Sequence, residues 1–110
     1  MGDMGDLFND LKDMRKTRAE ERTAEFMARK ADLADKIREI AEGRRHELYT
    51  DIDASGTWNI RIYGRQAGRK GATIQYYPTK GTWQVKGRMW HGGLDSFENW
   101  ITKKLEKLLF

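Results

Sequence analysis

The run Ala72-Thr73-Ile74-Gln75-Tyr76-Tyr77-Pro78-Thr79-Lys80-Gly81-Thr82-Trp83-Gln84-Val85-Lys86-Gly87-Arg88 sets the architecture. Residues alternate in character from Ala72 to Tyr77 and again from Thr82 to Arg88, the period-two pattern of half-buried strands. Between the two runs, Pro78-Thr79-Lys80-Gly81 reads as a type I turn closed by a glycine bulge. Proline suits the start of such a turn, and glycine accepts the left-handed conformation at its end. The segment therefore predicts an antiparallel hairpin with Ile74, Tyr76, Trp83 and Val85 on one face.

Toward the N-terminus, Trp58, Ile60 and Ile62 alternate with Asn59, Arg61 and Tyr63, and Leu48, Thr50 and Ile52 alternate with Tyr49, Asp51 and Asp53. A tight turn at Ala54-Ser55-Gly56 joins these runs as a second hairpin. The simplest arrangement is a four-stranded antiparallel meander. Toward the C-terminus, Leu94, Phe97, Ile101, Leu105 and Leu108 share one helical face. Asp95 followed by Glu98 reads as a capping box at the start of that helix, and Lys103, Lys104 and Lys107 suit its negative end. Its apolar face is expected to cover the side of the sheet that carries Trp58, Ile60, Ile62, Ile74, Tyr76, Trp83 and Val85.

From Asp6 to Glu42 there is neither proline nor glycine, and Gly43 stands where a C-cap belongs. This predicts one long charged helix or two collinear ones. Leu7, Leu11 and Met14 form one short apolar stripe, and Phe26, Leu33, Ile37 and Ile40 form another, with Arg15 to Glu25 polar between them. The stripes lie about 120° apart at 3.6 residues per turn, so the two ends of the helix are expected to pack on different things. The expected class is α+β. Residues 1–43 form a long helix that acts as an arm or partner-binding element, and its Phe26 to Ile40 stripe is expected to contribute to the core or to a homodimer seam. Residues 44–110 form a ββββα basic domain with its helix on one sheet face.

Composition narrows the function. The 110 residues contain no cysteine and only two histidines, which leaves no disulfide framework and none of the common zinc clusters. No run is long and apolar enough for a membrane span, and Asp3 and Asp6 at the start are unlike a secretory signal or transit peptide, so a cytoplasmic location is expected. Charge is unevenly placed. Residues 1–43 hold nine Lys/Arg and eleven Asp/Glu, whereas residues 44–110 hold twelve and six. The forty residues from Ala54 to Gly93 carry Arg61, Arg65, Arg69, Lys70, Lys80, Lys86 and Arg88 and no acid. Such a concentration points to a polyanionic or acidic partner.

Read as strand positions, Arg61, Tyr63, Gln75, Tyr77, Gln84, Lys86 and Arg88 collect on the outward sheet face. Aromatic rings stack on bases while Arg and Lys hold phosphates; the plainer alternative is a solvated face whose tyrosines stiffen cross-strand pairs. The Gly64 to Gly71 loop adds Arg65, Arg69 and Lys70 among three glycines, although it lacks the lysine-hydroxyl pair of a P-loop. The run from Asp51 opens with the spacing of a calcium loop, but Ile62 stands where its glutamate would be, so a turn is the better reading. Asp51 and Asp53 share a strand face. With Glu47, Asp95, His46 or His91 they are the residues from which a divalent-metal nuclease site would be built, though no motif supplies a general base. No catalytic residue, cofactor or metal is expected.

The opening Met4-Gly5-Asp6-Leu7-Phe8, the charged helix and the run Tyr76-Tyr77-Pro78-Thr79-Lys80-Gly81-Thr82-Trp83 resemble small proteins carried by phages and prophages. The resemblance implies an inhibitor of host defence or an accessory nucleic-acid binder. The order helix, strands, helix is also similar to the double-stranded-RNA-binding fold, in topology alone. The expected function is non-enzymatic engagement of nucleic acid, or of a host ribonucleoprotein complex, through Arg61, Tyr63, Arg65, Arg69, Lys70, Tyr77, Lys80, Lys86 and Arg88. The alternatives are a protein-only inhibitor of the anti-CRISPR kind that docks on an acidic protein surface, and a small metal-dependent nuclease using Asp51 and Asp53.

Overall fold

The computed structural model describes residues 3–65 and 71–109, with the side chains of the first helix from Arg18 onward. A proline-free run rich in Ala, Glu, Lys and Arg propagates as a single helix, α1 (Asp3–Gly43). It closes through bonds from the Arg44 N–H to the Ala41 carbonyl at 3.1 Å and from the Arg45 N–H to the Glu42 carbonyl at 3.0 Å. Arg45, with φ 61°, is the left-handed residue there, rather than the glycine expected to cap the helix.

Five strands follow, β1 (His46–Ile52), β2 (Trp58–Gly64), β3 (Ala72–Tyr77), β4 (Thr82–Val85) and β5 (Arg88–His91), and then α2 (Gly93–Leu108). They make one antiparallel sheet in the order β1-β2-β3-β4-β5. The fold is α+β, with one strand more than the sequence pattern predicts. The expected fourth strand divides at Lys86-Gly87, whose φ values of 51° and 79° make a two-residue turn that suits the twist of a hairpin. Between β3 and β4 the expected glycine bulge forms: Gly81, at φ 65°, donates its N–H to the Tyr77 carbonyl at 2.9 Å.

Both helices cover the same face of the sheet. Trp58 pairs with Tyr76, Tyr76 with Trp83, and Trp83 with Trp90, so a row of aromatic side chains crosses four strands on that face. Phe26 of α1 packs its ring 5.3 Å from Trp58 and 5.7 Å from Tyr76. Phe97 of α2 lies 4.6 Å from Tyr76 and 5.3 Å from Trp83. Leu33, Ile37 and Ala41 of α1 and Ile101 and Leu105 of α2 complete one buried cluster with Ile60, Ile62 and Ile74. The second half of α1 thus belongs to the core. Burial among these rings pushes the Tyr76 hydroxyl up to about 12.

The start of α2 differs from the expected capping box. Gly92 is the N-cap and no side chain caps the helix. Asp95 and Glu98 turn instead toward α1. Arg29 donates to Asp95 at 2.6 Å and also to Glu98, and Lys36 donates to Glu98 at 2.5 Å. Hydrogen bonding to Lys36 holds the Glu98 carboxyl below its usual range. The competing partners are two helix cations, which satisfy a carboxylate more strongly than uncharged N–H groups do.

Replacing Phe26 with Ala is expected to cost about 3–5 kcal/mol in a urea unfolding curve, because a fully buried ring leaves a cavity between α1 and the sheet. A loss under about 1 kcal/mol, below that range, would place α1 outside the core.

Candidate nucleic-acid interface

The outward sheet face is a polar ladder. Asp51 pairs with Asn59, Asn59 with Gln75, and Gln75 with Gln84. The Asn59 amide donates to Asp51 and Asp53, at 3.3 and 3.1 Å, and Tyr77 donates to Gln84 at 3.2 Å. Farther along the face, Tyr49 and Tyr63 pack with ring centroids 5.7 Å apart and are 54% and 51% exposed.

The described cations on this face are paired with carboxylates. Arg61 bonds Asp51, and Arg65 lies 3.4 Å from Glu47. The Tyr49 hydroxyl also donates to Glu47, at 2.9 Å, which raises the tyrosine above its usual range. The acid-free stretch of sequence is therefore not an acid-free surface, since β1 brings Glu47 and Asp51 alongside β2. Arg69 and Lys70 lie outside the described residues.

Lys86 and Arg88 leave the outward face. In an unbroken strand, residues 84, 86 and 88 would share a side, but the Lys86-Gly87 turn resets the alternation. Val85 pairs with Arg88 across it, and Gln84 with Met89. Arg88 consequently stands on the helix side, with its guanidinium carbon 5.4 Å from the centre of the Trp90 ring, a cation–π contact. Lys86 occupies the turn itself.

These residues border a cleft of about 430 Å³ between β5 and the last turns of α2. Lys86 and Arg88 line it from the hairpin, and Lys104 and Lys107 from the helix. Its aromatic wall is Trp90 and Trp100, with centroids 5.0 Å apart and planes tilted by 46°. Val85 and Leu108 supply apolar surface. Among the described residues no carboxylate lines it and none of its four cations is in an ion pair. The α2 acids are held elsewhere, Asp95 and Glu98 by Arg29 and Glu106 by Arg44 at 3.4 Å. Trp100, Lys104 and Lys107 escape a sequence reading centred on the sheet, although their spacing of four and seven puts them on one helix face. Lys80 sits in the β3–β4 turn, bordering a separate cavity with Arg22 and His91.

The residues weighed for metal chemistry have other roles. Asp53 accepts from the Ser55 hydroxyl at 2.5 Å and from the backbone N–H groups of Ser55 and Thr57 at 3.0 and 3.1 Å. It closes the β1–β2 turn. Buried His46 has Nδ1 2.8 Å from the Arg44 carbonyl, to which it donates. Asp51 faces outward, whereas Asp95 meets Arg29 on the helix side. Among the described residues no three His, Cys, Asp or Glu side chains gather as metal ligands, and no helix is long and apolar enough to cross a membrane.

No protein-family model, curated protein or solved structure matches this chain, so function has to be read from the geometry.

The hydrogen bonds from Ser55 and Asn59 lower the Asp53 carboxyl from 3.8 to about 2. A depressed carboxylate stabilises the fold above its unfolded value and loses that contribution as pH falls toward its folded value. Asp53→Ala is expected to lower the melting temperature at neutral pH and to flatten its fall between about pH 4 and pH 2. An unchanged slope in thermal melts across that range would contradict the turn-capping role.

Proposed function

We propose that this chain is a non-enzymatic binding protein whose partner is nucleic acid, free or within a nucleic-acid-loaded complex, and which acts by occupancy. The observation that supports this best is the cleft between β5 and α2, where Lys86, Arg88, Lys104 and Lys107 gather with no carboxylate among the described lining residues. Four uncompensated cations around a concave surface attract a polyanion through counterion release and phosphate contacts. An accessory or anti-defence role, the class implied by the phage-like hairpin, is compatible with a small protein that works by binding.

A second reading, docking on a protein, draws on the outward face. There the exposed Tyr49–Tyr63 pair lies among Arg61–Asp51 and Arg65–Glu47 ion pairs, a mixture of rigid aromatics and balanced charge suited to protein recognition.

The two readings separate in fluorescence-anisotropy titrations of labelled oligonucleotides at two salt concentrations with magnesium present. Replacing Lys104 and Lys107 together by Ala is expected to weaken single-strand binding and to reduce the salt slope by about 0.7 for each phosphate no longer neutralised. Absence of oligonucleotide binding at low salt would overturn the nucleic-acid reading in favour of the protein partner, and cleavage of the oligonucleotide would overturn the non-enzymatic one.

A further inference from the structure

We infer that the cleft seats an unpaired nucleobase against Trp90 and Trp100, so that the ligand is single-stranded nucleic acid rather than duplex. This rests on the nucleic-acid reading above and deepens it. The four tryptophans divide into two kinds. Trp58 and Trp83 are 1% and 2% exposed and serve the core, whereas Trp90 and Trp100 are only half-buried and sit where the aromatic array reaches solvent. Trp100 is anchored from behind, 5.9 Å from Trp83 and 6.4 Å from Phe97. Trp90 stands on β5 opposite Trp83 of β4 and its ring packs against Trp100 at 5.0 Å between centroids. The pair is thus held in place before any ligand arrives, which lowers the ordering cost of binding.

Cations alone would attract any polyanion; the rings select among polyanions. A nucleobase offers a flat π face to an indole only when it is unstacked, as in single strands, loops and ends. A duplex keeps its bases paired and stacked and offers mainly its backbone and the base edges in its grooves, so it presents no base face to the indoles. Here half-buried Trp90 of β5 and Trp100 of α2 meet in the cleft, and the lysines that line it with them are exposed. Arg88 lies with its guanidinium carbon 5.4 Å from the centre of the Trp90 ring, so a base entering on that face displaces it and frees the guanidinium for a phosphate oxygen. β5 is the last strand of the sheet, paired only with β4, so an extended strand of nucleic acid can approach along an open edge.

The test uses the whole protein and three labelled 12-mers of equal strand length: a single strand, its duplex, and an abasic single strand that keeps the phosphates and lacks the bases. The single strand is expected to bind about tenfold or more tightly than the abasic strand, in line with base–aromatic stacking. Trp90→Ala is expected to remove most of that difference, and Trp90→Phe to keep part of it. Far-UV circular dichroism and a thermal melt establish that each variant is folded. Equal affinity for all three probes would overturn the inference and leave a general polyanion site. A base preference that survives Trp90→Ala would likewise overturn it, moving recognition to another surface. No binding of any probe at low salt would instead remove the nucleic-acid reading on which it rests.

Discussion

The ring of Phe97 ties the layers of the molecule together. It is fully buried and touches Trp58, Tyr76, Trp83 and Trp100, at centroid distances from 4.6 to 6.4 Å. Through Tyr76 it meets the ring of Phe26, so one contiguous aromatic cluster joins α1, the sheet and α2. A thin apolar composition makes such rings valuable, because each buries a large area. The same cluster continues outward through Trp100 to Trp90. The cleft wall is therefore the exposed margin of the core, and its rigidity follows from the core's packing.

Charge placement is the second constraint. Individual surface ion pairs stabilise little, but their arrangement decides which charges remain for a partner. Arg29, Lys36 and Arg44 draw Asp95, Glu98 and Glu106 to the α1 side of α2. On the sheet, Asp51 and Glu47 of β1 occupy Arg61 and Arg65. The net positive charge of the C-terminal part is consequently expressed at the far edge, where β5 and the end of α2 contribute cations while Glu106 is turned to Arg44. Lateral adjacency in the sheet and helix-to-helix pairing thus convert a diffuse basic composition into a localised surface.

Much of the fold is legible in the sequence, because strand period and turn chemistry are local. The inward set from Trp58 to Val85, the Pro78–Gly81 turn and the apolar face of α2 all follow from spacing. Lys86-Gly87 is harder to read, since lysine is not among the residues that readily take positive φ. Missing that turn shifts the parity of everything after it, which is why strand alternation alone puts Arg88 on the outward face. The acid-free run from Ala54 to Gly93 is a property of linear order, and linear order does not show that β1 lies beside β2. Asp95 and Glu98 match a capping box in spacing; only tertiary packing reveals the stronger donors on α1. Trp100, Lys104 and Lys107 are visible as helix positions, yet their relation to Trp90 depends on how α2 crosses the sheet.

If the margin of the aromatic core is the binding surface, its two tryptophans must sense the ligand while the two in the core do not. A two-dimensional ¹H–¹⁵N NMR titration with an unlabelled single-stranded oligonucleotide, following the indole N–H signals of the four tryptophans, reads this directly. The Trp90 and Trp100 signals are expected to move progressively while those of Trp58 and Trp83 stay nearly still. Fixed indole signals alongside shifts of the backbone amides around Tyr49, Arg61 and Tyr63 would contradict a binding site at the core margin and place recognition on the outward face.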